Sequence, residues 1–198
     1  MGLLNSEGRF PMKLFRHLTA ILALPFVVVI VVPAFILHSL RHLDTRWTFP
    51  FSGRLIPMII GVLIFALGFL LATRCIRLFA TVGQGTLAPW DPPRKLLVVG
   101  PYQHVRNPMI SGVVAMLMGE SMAWGSSLLL GFATFVFLLN HVYFLRSEEP
   151  GLVRRFGDDY RLYMNHVPRW IPRWTPWTRL AGDQRTADSQ KNISQLIV

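Results

Sequence analysis

The stretch SSLLLGFATFVFLLNHVYFL at 126–145, running directly into RSEE at 146–149, decides the fold. It holds twenty residues without a charged side chain. At about 1.5 Å of rise per residue, that length covers the roughly 30 Å of hydrocarbon in a bilayer. The segment before it, Met109 to Trp124, is joined to it by Trp124-Gly125-Ser126-Ser127, which leaves room only for a tight helical hairpin. That segment is short and contains Glu120, so it is expected to begin earlier, near Arg106, and to tilt or break. Further out lies Leu55 to Thr73, closed by Arg74 and Arg77. Leu18 to Leu40 is interrupted by Pro25 and Pro33, which a membrane helix tolerates when neighbours re-satisfy the backbone. It is too long for a signal-peptide core, and no small-residue cleavage pattern follows, so it reads as retained.

Composition agrees with these segments. Of 198 residues, 52% are hydrophobic and only 15% charged, with mean hydropathy +0.42; ordinary soluble chains carry roughly 25% charged residues. Disorder is excluded outside a polar tail at 182–198. The net charge of +10 would suit a nucleic-acid binder, but the arginines are distributed as membrane-flank charges, so no nucleic acid is expected as a partner. A single cysteine, Cys75, excludes an internal disulfide framework and a cysteine-rich metal cluster. His38 and His42 have i,i+4 spacing but no third ligand nearby, and no metal is expected. Neither a GxxxxGK[ST] loop nor a GxSxG turn occurs. The reading is all-α: a polytopic membrane helix bundle of about four transmembrane helices plus a C-terminal cytoplasmic amphipathic helix, in one domain over 1–181.

Basic residues cluster before the first span, in the 74–108 connection and from Arg146 onward, and are absent between the third and fourth spans. The positive-inside rule then places both termini and the 74–108 connection in the cytoplasm, although Arg41, Arg46 and Arg54 in the first loop oppose it. Trp170, Trp174 and Trp177 alternate with Arg169, Arg173 and Arg179 in a Pro-spaced run, the pattern of an aromatic anchor at headgroup level.

Four features carry possible chemistry. Gly83 and Gly85 flank one residue, which permits close backbone approach to a ligand or simply a turn. In Gly100-Pro101-Tyr102-Gln103-His104-Val105-Arg106-Asn107-Pro108, Gly-Pro and Asn-Pro bracket a short non-helical passage, with Pro108 suited to a helix's first turn. His104, Arg106 and Asn107 then sit where free N–H groups and the helix dipole favour an anion, and Arg106 adds a forked donor. At the end of the last span, regular helical spacing puts Asn140, Tyr143 and Ser147 on one stripe and His141, Leu145 and Glu148 on the next. The adjacent Glu148 and Glu149 repel each other unless donors or positive charge lie close. Glu120 is the one acidic or basic residue within a span core, either functional or a helix-holding group with a partner such as His141.

Taken in order, GQGTLAPWDPP at 83–93, GPYQHVRNP at 100–108, Gly119-Glu120, EEPGL at 148–152, FGDDYRLY at 156–163 and VPRWIPR at 167–173 resemble a known family. It comprises the integral membrane methyltransferases that include isoprenylcysteine carboxyl methyltransferases and phospholipid (phosphatidylethanolamine) N-methyltransferases. The resemblance covers about half the chain, 83–173, and leaves the first two helices, 18–40 and 55–73, without a signature. It implies S-adenosylmethionine as cofactor, held by Gly83, Gly85, Gly100, Tyr102, His104, Arg106, Asn107, Pro108, Glu148 and Glu149. A lipophilic acceptor, such as a lipid amine or a prenyl-type carboxylate, would enter from the bilayer at the cytoplasmic face. Arg146 would orient an acidic acceptor, and His141 or Glu120 would take a proton from an amine. Ile110 stands where many members have a tyrosine, so a hydroxyl contact is missing or is replaced by Ser111 or Tyr102. Two other readings compete: an NADPH-dependent sterol or enone reductase with a related GPY…R[HN]P region, and a non-catalytic membrane scaffold. The acceptor's identity and the oligomeric state are open at this stage.

Overall fold

The computed structural model describes residues 25–47, 51–81 and 96–178. A π-helical turn, Val27–Val31, leads into α1 (Val32–Ser39). Then come α2 (Phe51–Thr81), a 3-10 turn at Gly100–Gln103, α3 (Pro108–Trp124) and α4 (Ser127–Tyr143). Without leaving the helix, α4 passes through a second π turn, Phe144–Glu148, into α5 (Glu149–Phe156), and α6 (Asp158–His166) follows. Among the described residues there is no strand, only one isolated antiparallel bridge between Arg46 and Ser126. The all-helical expectation is met.

By length and composition, Gly53–Leu78 and Ser127–Phe156 can each cross a membrane, while Val27–Ser39 is apolar but shorter. Ile56, Leu63, Leu67 and Phe69 all stand out from α2, with Leu67 at 67% exposure. So continuous an apolar surface belongs in lipid, since soluble monomers rarely expose patches beyond a few hundred Å². The part of the first expected span before residue 25 lies outside the described residues.

The boundaries differ from those expected. Helix α2 does not close at Thr73; it continues through Arg74 and Arg77 to Thr81, because arginine is a good helix former and only the apolar content ends there. Helix α3 starts at Pro108 and is unbroken to Trp124 despite Glu120. Its turn into α4 uses Gly125 at φ +61°, a left-handed conformation that L side chains rarely adopt. The loop after α1 secures this hairpin. The Trp47 N–H donates to Gly125 O (2.9 Å), and the Leu128 N–H donates to Asp44 Oδ1 (3.1 Å). Buried Ser126 caps α4 by accepting from the Leu129 N–H (3.2 Å).

Helices α2 and α3 form the tightest seam. A Cβ on Gly61 would lie 2.5 Å from Gly119 O, and one on Gly119 would lie 2.5 Å from Gly61 O. One seam step away, a Cβ on Gly68 would lie 2.6 Å from Gly112 O. The glycine pairs are seven residues apart on each antiparallel helix, so they stack on one face and let the backbones touch. Behind them, Val29 of the first π turn, Ala72 of α2, Val113, Met116 and Leu117 of α3, and Ala133 and Val136 of α4 pack into one core. The hairpin turn closes one end of the bundle. The ends of α2 and α4 and the start of α3 meet at the other.

Candidate functional site

At that second end three segments converge: the 100–107 passage, the π turn at the end of α4, and an extended strap at 167–177. The start of α3 is open for local reasons. Pro108 occupies the first helical position, and no side chain caps the helix at Asn107. The first N–H groups of an α-helix have no partner within it. The Ser111 hydroxyl, one candidate to replace the missing tyrosine hydroxyl, donates to Asn107 O (2.9 Å) instead.

The second wall depends on the π turn. Pro150 has no N–H to donate four residues back, and its ring crowds that carbonyl, which favours a wider turn. The Glu149 N–H instead reaches Phe144 O, five residues back. This advances the register, so the stripes drawn at regular spacing fail beyond Tyr143. Phe144 and Glu149 face inward and are buried, while Leu145, Arg146 and Ser147 are exposed.

The strap is laced to the 100–107 passage. The Arg106 N–H donates to Pro168 O (2.9 Å), the Arg173 N–H to His104 O (3.0 Å) and the Trp177 N–H to Gln103 O (3.0 Å). His104 Nδ1 donates to Arg173 O (2.8 Å), which fixes the tautomer of that ring. The tryptophans therefore differ from a uniform headgroup anchor. Trp177 is buried with Tyr160, Tyr163 and Val167, and Trp170 packs on Phe137 and Phe144 at 5.0 and 5.6 Å. Only Trp174 projects freely, at 99% exposure.

These segments bring two of the expected residues into direct contact. Arg106 Nη1 donates to Glu149 Oε1 at 2.9 Å. Arg169, which the sequence marked only as a flank charge, forks onto the same carboxylate: Nε to Oε1 at 2.6 Å and Nη2 to Oε2 at 2.8 Å. The Glu149 hydrogen bond and charge raise the Arg169 pKa above its ordinary value, against the opposing effect of burial. Two buried donors beside this cluster, Arg106 Nε and Asn107 Nδ2, have no hydrogen-bond partner among the described residues. Glu148, half-buried, adjoins Glu149.

Tyrosines from α6 roof the cluster. Tyr160, buried, sits beside the Arg106 guanidinium; burial and then Glu149 push its hydroxyl up to about 12, with Arg106 opposing. Burial likewise raises Tyr163 and Tyr102. Tyr163 donates to Tyr102 O at 2.6 Å. Sequence reading missed Tyr160 and Arg169. The only available signal was their place within FGDDYRLY and VPRWIPR.

Other expected residues fall elsewhere or serve differently. Gly83 and Gly85 lie outside the described residues. Gly100, at φ +57°, starts the 3-10 turn against Leu78, a conformational role. His141 is at this end, but Trp170 Nε1 donates to its Nδ1 (2.9 Å). The neutral ring then carries its proton on Nε2, a donor position where a base would need a lone pair. Arg146 is exposed on the π turn. Glu120 is separate from the cluster: thirteen residues past Asn107 along α3 is about 20 Å at helical rise. It does not pair with His141, and its buried Oε2 has no partner among the described residues.

Comparison with known proteins gives two matches. The family model for phospholipid methyltransferase matches residues 56–159. A protein of Haemophilus influenzae (strain ATCC 51907 / DSM 11121 / KW20 / Rd), described as an uncharacterized protein, is 39% identical over 54 residues, which cover 27% of this chain and 76% of that protein.

Proposed function

This chain belongs to the phospholipid methyltransferase family, and from that premise we propose that it transfers a methyl group from S-adenosylmethionine to a lipophilic acceptor. The proposed site is the end of the bundle where the start of α3, the π turn and the strap meet. The observation that carries this reading is the pair of buried donors, Arg106 Nε and Asn107 Nδ2, left without partners among the described residues beside a helix start with no side-chain cap. Buried polar groups are almost always hydrogen-bonded, so two together suit an acceptor supplied by a ligand. A carboxylate on the ligand fits these donors and the dipole of α3. Glu148 fits an ammonium or the ribose hydroxyls.

Bound there, S-adenosylmethionine would supply a sulfonium-activated methyl group. The chain's own contribution is binding and alignment: Arg106, Asn107 and Glu148 hold the amino-acid end, and the aromatic roof of Tyr160, Tyr163 and Trp177 keeps water out. Displacement at a strongly activated methyl depends mainly on holding the reactants aligned in a dry site, with no covalent nucleophile from the protein. Arg146, exposed at the lip, suits an anionic acceptor group. We further propose that the 18–40 segment and α2, α3 and α4 span the membrane, with this end cytoplasmic, as the basic flanks favour.

The test uses purified protein in lipid nanodiscs with methyl-labelled S-adenosylmethionine and a total membrane lipid extract. A labelled lipid product, absent with Glu148→Gln, is the expected result. Thermal stabilisation by NADPH, with none by S-adenosylhomocysteine, would overturn the reading in favour of a reductase.

A further inference from the structure

The arrangement of charge at the site departs from the expectation that both glutamates hold the cofactor. We infer that Glu149 is the mount of Arg106 and that Arg169, delivered by the strap, neutralises Glu149 so that Arg106 keeps a positive charge for the ligand. The inference rests on the cofactor reading above and concerns a residue beyond the matched 56–159 region.

Glu149 is 6% exposed and already accepts three N–H bonds between 2.6 and 2.9 Å, most of what a carboxylate can take. Two guanidiniums and one carboxylate leave the triad with one uncancelled positive charge. An ammonium placed against Glu149 would meet both arginines, and their repulsion is strong where water is scarce. The orphaned Arg106 Nε lies on a side chain only 10% exposed, so the surplus charge reaches a ligand there instead of solvent. Glu148, one residue away and half-buried, is a second carboxylate, which holds a negative charge when an ammonium stands against it. A positive and a negative locus side by side match the carboxylate and ammonium of a zwitterionic amino-acid group.

Without Arg169, the Arg106–Glu149 pair would be neutral and would hold an anion weakly. The strap makes this dependence local: Pro168, next to Arg169, accepts the Arg106 N–H, so the backbones of the two arginines are joined directly. Arg169 is thus a positioning residue, acting on the ligand through Glu149 and Arg106.

Calorimetry in nanodiscs with S-adenosylhomocysteine and its decarboxylated analogue tests this. The wild-type protein should favour the carboxylate-bearing compound, and Arg169→Gln should reduce that preference about tenfold or more. The double variant Arg169→Gln/Glu149→Gln should recover most of the preference, because an uncharged residue 149 no longer cancels Arg106; a merely structural role would make the double variant worse than either single one. Arg169→Lys, which retains the charge, should keep the preference within about threefold and serves if the glutamine variant does not fold. An unchanged preference in Arg169→Gln, no recovery in the double variant, or a lost preference in Arg169→Lys overturns this inference alone. Wild-type protein that binds neither compound overturns the cofactor reading as well.

Discussion

Arg106 binds Glu149 through one nitrogen and leaves another buried without a partner among the described residues, which only a planar, multi-donor head can do. A lysine keeps the charge but is a point donor. Arg106→Lys is therefore expected to weaken S-adenosylhomocysteine binding about tenfold or more, measured by calorimetry, while thiol protection of buried Cys75 stays at the wild-type level. The tyrosines beside it make a second residue-level prediction. A phenol whose folded pKa exceeds its unfolded value stabilises the fold fully below the unfolded pKa, and this contribution is lost as pH rises through the folded one. For Tyr160 the window runs from the ordinary 10.0 to about 12. Tyr102, Tyr160 and Tyr163 should add no tyrosinate absorbance at about pH 10.5, and stability should fall as pH rises further. Ionisation of these three at about pH 10 would contradict their burial.

At the level of elements, the α2–α3 seam and the π turn set the geometry. Gly119→Ala puts a methyl against the Gly61 backbone, which can yield only if the helices separate. A cost of about 1–3 kcal/mol is expected, seen as a lower Tm in detergent. Gly131 in α4 has nothing within 4 Å of its Cβ position and provides the control. Gly131→Ala should be neutral or stabilise by up to about 0.5–1 kcal/mol through helix propensity. Equal effects from the two substitutions would contradict the seam. The π turn is the element that sequence periodicity misread: a 3.6-residue period was carried toward Pro150's missing donor, so the stripes drawn through Ser147 and Glu148 do not hold. The seven-residue spacing of Gly61 with Gly68 and of Gly112 with Gly119 was not read from the sequence, because which helix faces which depends on packing between segments far apart in the chain.

For the whole molecule, the expected topology places the Thr45 loop and the 124–127 turn together at one end, with the strap at the other. In a Cys75→Ser background, Thr45→Cys and Thr175→Cys should react with a membrane-impermeant thiol reagent from opposite sides of sealed vesicles, Thr175→Cys from the cytoplasmic side. Labelling of both from one side would contradict a bundle spanning the bilayer with the site at one face. The sequence by itself determined the helical class, the lipid-facing composition, the hairpin at Gly125, the suitability of Pro108 for a helix's first turn and the family resemblance. These follow from local properties: apolar run length, the missing donor of proline, the backbone freedom of glycine and a short ordered set of motifs. Only the tertiary structure decided that Arg169 and Arg106 share Glu149, that Tyr160 roofs them and that Trp170 takes Nδ1 of His141. Ion-pair choice and tautomer depend on which segments the fold brings within hydrogen-bond distance, and a linear pattern carries no such distances.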